Sequence, residues 1–192
     1  MTFKYLLLNA GINIEKDNVL IQPVVSTIAA NVNSGLAAAQ ALEAGEIDGF
    51  WANGIGAEIA VRRGVGTIVL DVRRGDGPIG CFNYAMASIA TTDRIVANAP
   101  EMAAAAVIAV SKAQSALKAN PHVAFTIAKK LFPPAEAAII VDVVRRDLPF
   151  YSGAISEAAV TGMNAFARHM DHLTGDIDYA DVVAPEFMHI WN

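Results

Sequence analysis

One cysteine, Cys81, is all the thiol this chain holds, so no disulfide can form within it. A lone thiol says little about redox compartment, and a small buried apolar residue is the expected role. Charge is sparse as well: charged residues make up 17%, and 14 Lys and Arg against 19 Asp and Glu leave a net charge of -5. The basic pairs Arg62-Arg63, Arg73-Arg74, Lys129-Lys130 and Arg145-Arg146 are scattered among acidic neighbours. No basic patch interleaves with aromatics, which argues against a nucleic-acid partner. No uninterrupted apolar run reaches the ~18 residues of a membrane span. The start, MTFKYLLLNAG, has no sustained apolar core and no cleavage site, so no signal peptide is read in this chain. Also missing are a P-loop, a nucleophile elbow and an intact GxGxxG. Gly75, Gly77 and Gly80 read as a turn or hinge. His122, His169, His172 and His189 do not assemble a metal site on paper, since the His169/His172 pair lacks a third ligand. No metal and no cofactor are expected.

What is present is apolar bulk: 54% of the 192 residues are hydrophobic, enough to bury a core and to exclude disorder. Alanine dominates the helical stretches and favours helix. Phe3 to Asn9 reads as a helix with Gly11 as its C-cap. Val19 to Val25 is β-branched and predicts a strand. Asn33 or Ser34 caps a helix from Gly35 to Glu43, closed by Gly45. Ile47 to Ala52 predicts a short strand, Ala57 to Arg63 a helix ended by Gly64, and Thr67 to Val72 another strand. Such alternation with short connections is the pattern of an α/β lobe around a mostly parallel sheet. Residues 74–78, Arg-Gly-Asp-Gly-Pro, form a glycine-rich break suited to a crossing between lobes. Ala85 to Ala90 predicts a return strand. Thereafter the chain reads as helix: from the Pro100-Glu101 start to about Ala119, then beyond the Asn120-Pro121 stop to Phe132, then about Ala135 to Arg146. A last helix begins at Ser156-Glu157, with Val160, Met163, Asn164 and Ala167 spaced for one face.

The segment Leu42 to Val61, LEAGEIDGFWANGIGAEIAV, resembles the second lobe of periplasmic substrate-binding proteins of ABC importers, those for nitrate, sulfonates, taurine and thiamine-precursor pyrimidines. Its phrase of Leu42, Gly45, Ile47 and Asp48 matches that family's helix end and strand start. Gly77 to Thr92 resembles the family's return strand, Ala99 to Pro121 its long helix and "A-N-P" turn, and the helix from Ser156 to His172 its late "I-S-E" helix. The resemblance implies an α/β, two-lobed periplasmic binding protein type II fold, incomplete at the N-terminus. Residues 1–78 would be the second lobe in part, and 79–192 the hinge return strand with the helical end of the first lobe. Members carry a further N-terminal half-lobe. Its absence predicts self-association or pairing with a separate N-terminal fragment, because apolar helix faces would otherwise stay wet.

On this resemblance the protein is a non-catalytic solute-binding component. It would hold a small polar molecule, pyrimidine-like or sulfonate- or nitrate-like, between two lobes and deliver it to an ABC permease in the periplasm. Six residues stand out as ligand contacts. Trp51 could stack on a planar ring. Asn53 offers an amide donor and acceptor. Glu58 matches a carboxylate of the pyrimidine-binding members. Arg73 suits an anionic group. Asn83 and Tyr84 lie in the return strand at the cleft edge. Structural roles compete: Trp51 as core, Asn53 as helix cap, Glu58 as a first-turn carboxylate, Arg73 as a solvated loop and Tyr84 as hinge packing. Two alternative functions share the fold. One is a thiamine-pyrimidine synthase-like enzyme, whose Cys-rich iron-binding segment this chain lacks. The other is a ligand-sensing domain of a transcription regulator, which would need a helix-turn-helix segment.

Overall fold

The computed structural model describes residues 2–24, 34–78, 81 and 87–191. The chain divides into two compact units. One comprises Thr2–Asp71 and Pro121–Asp147; the other comprises Val72–Asn120 and Leu148–Asn192.

In the first unit, α1 spans Thr2–Asn9, α2 Ser34–Glu43, α3 Gly54–Arg62, α6 Val123–Leu131 and α7 Pro134–Asp147. α2 and α3 stop where a local signal says they should. Gly45 and Gly64 take positive φ of 72° and 69°, which glycine adopts without strain. The following amides then turn back, Glu46 N–H donating to Ala41 O at 2.9 Å and Val65 N–H to Ala60 O at 3.0 Å, which satisfies carbonyls the helix end leaves open. Helix α2 crosses α3 with no room to spare. A Cβ added at Gly56 would stand 2.6 Å from Gly35 Cα, and one at Gly35 would stand 2.8 Å from Gly56 Cα. α3 also packs on α7, and α7 on α6. The core is built of Ala39, Ile59, Ala60 and Ile139, with Leu36, Phe50, Ile55 and Val143 against it. On α6 the small residues Ala124 and Ala128 face inward, whereas Ile127 and Leu131 are exposed.

In the second unit a 3-10 turn, Val72–Arg74, is followed by α4 at Asp93–Asn98, α5 at Pro100–Ala119 and α8 at Glu157–His169. α9, Tyr179–Val182, and a 3-10 helix at Pro185–Ile190 end it. Pro100 sits in the first turn of α5, where its missing N–H costs nothing. Ser156 caps α8, its Oγ accepting from Ala159 N–H at 3.1 Å. Cys81 is buried. No helix among the described residues is long and apolar enough to cross a membrane.

The expected α/β fold is not what the structure shows. The described residues form helices, 3-10 turns and irregular segments, with no strand among them, so the two-lobed periplasmic binding protein type II architecture is corrected to a helical one. Residues 19–24 are irregular, with Leu20 80% exposed; residue 25 lies outside the described part. Residues 47–52 and 67–71 form no ladder, and Val69 is 94% exposed. Of the expected return strand, residues 85 and 86 lie outside the described part, and 87–90 are irregular and exposed. The reason is physical. A β-branched run favours an extended backbone, but a strand exists only as part of a ladder, and its propensity is mostly packing against neighbours.

Candidate functional site

Three of the sequence-derived residues lie just before or within α3, and each has a partner in the same unit. The ring of Trp51 stacks on Phe3, with centroids 6.3 Å apart and planes 11° from parallel. Asn53 caps α3, its Oδ1 accepting from Gly56 N–H at 3.2 Å. That cap also sets the close crossing with α2, because Asn53 Oδ1 lies 3.0 Å from where a Gly35 Cβ would be.

Glu58 is held by two guanidinium groups. Its Oε1 accepts from Arg62 Nε at 3.0 Å, and its Oε2 from Arg146 Nη1 at 2.7 Å. Arg62 also reaches Asp142 at 2.7 Å and Arg146 reaches Asp147 at 3.2 Å, so the network ties α3 to α7. The hydrogen bond from Arg62 holds the Glu58 carboxyl below its ordinary value; partial burial pushes the other way, and the Arg146 charge adds to the lowering. A depressed carboxylate stabilises the fold in full above its unfolded-state value, near 4.5. That contribution is lost as pH falls through the lower folded value. Glu58→Gln is therefore expected to cost about 1–2 kcal/mol at pH 7, between the exposed and buried ion-pair regimes. The gap between the urea midpoints of parent and variant should narrow as pH falls below 4.5; a gap that stays constant with pH would show that the ion pairs are not its source.

Arg73 lies on the 3-10 turn Val72–Arg74 of the other unit. Asn83 and Tyr84 lie outside the described residues.

A site that sequence reasoning missed stands on α5. Ser111, Gln114, Ser115 and Lys118 recur at i, i+3, i+4 and i+7, one face of the helix. They line a pocket of about 210 Å³ closed by Tyr151, Ser152, Gly153 and Trp191. Ser111 Oγ donates to Ile190 O at 3.0 Å and so ties α5 to the C-terminal 3-10 helix. The loop can pass there because residue 153 is glycine: a Cβ would meet Trp191 O at 2.2 Å. Ser152 Oγ accepts from Ala154 N–H at 3.2 Å, which leaves its own proton for another acceptor. Gln114, Ser115 and Lys118 make no side-chain hydrogen bond or ion pair with a described residue. No carboxylate lines the pocket. The arrangement is a set of uncommitted donors and one cation beside two aromatic rings. The sequence signal for it was the polar stripe in an otherwise Ala- and Val-rich helix.

Comparison of the chain with protein-family models, with curated proteins and with solved structures found no match.

Proposed function

We propose that this chain binds a small polar solute without transforming it, as the solute-binding component of an ABC importer does, and that the pocket on α5 seats the solute. The observation that carries this reading is the set of free donors at Gln114, Ser115 and Lys118 in a pocket that Tyr151 and Trp191 also line. The rings offer flat apolar faces, and the donors offer hydrogen bonds to a ligand's acceptors. A volume of about 210 Å³ suits a ligand smaller than the occupants of typical 300–1,000 Å³ sites. The family-like phrases from Ala99 to Pro121 and from Ser156 to His172, both of which form helices, support import as the setting. On this reading the partner is a permease and the working compartment is the periplasm.

A thermal-shift panel of pyrimidines, taurine, alkanesulfonates, nitrate and aromatic carboxylates tests the proposal. At a ligand concentration of 100 Kd, a true ligand adds about 2.7 kcal/mol. Lys118→Ala is expected to weaken its binding about 10- to 100-fold, the worth of one charge-assisted hydrogen bond. If no panel member shifts the melt, or if Lys118→Ala binds like the parent, the pocket is not the solute site.

A further inference from the structure

We propose that the groove over α8 is a second ligand site, which takes an apolar molecule with a positively charged end. The groove encloses about 430 Å³, within the range of small-molecule sites. Its floor is the face of α8 that carries Val160, Met163 and Ala167, and its walls include Ile155, Ile177 and Val182.

Hydrogen bonds tie these segments to one another. The buried Asn164 amide donates to Ile177 O at 2.8 Å and accepts from Ile177 N–H at 3.2 Å. Tyr179 Oη donates to Ile155 O at 2.7 Å. These bonds fix the segments that line the groove, and its apolar lining stays wet until something apolar fills it. A preformed apolar groove of this kind spares the ligand the cost of ordering it.

Charge chooses the other end of the ligand. Asp171, Asp178 and Asp181 are exposed next to the groove-lining His172, Ile177 and Val182. The Arg168 guanidinium is engaged with Asp176. Residues 168–182, which supply four of the lining residues, thus carry Asp171, Asp176, Asp178 and Asp181 against Arg168, and this net negative charge attracts an ammonium and repels a carboxylate. Asn164 is already committed to the backbone, so the floor offers little to a polar body.

Isothermal titration of the full chain with n-octylammonium, n-octanol and n-octanoate tests this. Saturable binding is expected with octylammonium tightest and octanoate weakest. Lengthening hexyl- to octylammonium should tighten binding about fourfold per CH₂. Ala167→Phe fills the groove and should abolish octylammonium binding while leaving the α5 pocket and its solute untouched. If that variant does not fold, Val160→Thr, nearly isosteric but with a hydroxyl on the floor, should weaken binding several-fold. No saturable binding, equal or tighter binding of octanoate, or unchanged affinity in the folded variants would overturn the proposal. None of these outcomes bears on solute binding at the α5 pocket, whose test is Lys118→Ala.

Discussion

Gly56→Ala is expected to lower the melting temperature by about 4–8 °C, equivalent to about 2 kcal/mol in a chain of this length. In the middle of a helix, alanine should gain up to about 1 kcal/mol over glycine. Here the new Cβ would stand 2.6 Å from Gly35 Cα and 2.9 Å from Gly35 C and O. Those atoms are backbone and cannot rotate aside, so α2 and α3 must separate and the packing of Ala39 and Ile59 between them must loosen. Overpacking costs about 1–3 kcal/mol, and a backbone clash belongs at the upper end. Gly49→Ala is the control, because a Cβ there meets nothing within 4 Å. It should melt with the parent or slightly above it. A Gly56→Ala variant that melts with the Gly49→Ala control would mean that the two helices do not cross at these glycines.

Asn164→Ala should destabilise the unit formed by Val72–Asn120 and Leu148–Asn192 by about 3 kcal/mol. Asn164 is 8% exposed, and its amide satisfies both the N–H and the C=O of Ile177. Alanine removes both partners, and each stranded, part-buried group costs about 1–1.5 kcal/mol, the lower part of the range for lost hydrogen bonds. Asn164→Asp is a sharper probe. It keeps an acceptor for Ile177 N–H but turns a carboxylate oxygen toward Ile177 O, so it should recover little of the loss. The readouts are the denaturant midpoint of both variants and hydrogen exchange at the Ile177 amide, which should lose protection in Asn164→Ala. Unchanged protection would show that the amide pairing is not formed in solution. Because the same pairing holds one wall of the α8 groove, octylammonium affinity should fall together with stability.

Local punctuation was legible in the sequence because its causes are local. Gly11, Gly45 and Gly64 take the positive φ that closes a helix, and Asn53 and Ser156 supply side-chain caps within three residues of the amides they accept from. The spacing of Val160, Met163, Asn164 and Ala167 predicted a shared face, and all four line one groove. Glu58 shows where such reading stops. The sequence displays a carboxylate in the first turns of a helix, and only the fold brings up Arg146, 88 residues away, to engage it. The α5 pocket divides the same way. Its polar stripe is written in α5, but Tyr151, Gly153 and Trp191 arrive from distant loops.

By itself, the sequence determined where most helices start and stop and which of their faces are apolar. These depend on φ preference, capping and a 3.6-residue period, all of which act over a few neighbouring residues. Only the tertiary structure decided what the β-branched segments become. Val69 is β-branched and Leu20 lies in a β-branched run, yet among the described residues no strand pairs with them, and a strand's stability lies in that pairing. The same holds for the candidate site residues. The role of Glu58 depends on which charges reach it, the packing of Trp51 on Phe3, and the shape of the α5 pocket on a glycine pressed against a carbonyl at the far end of the chain.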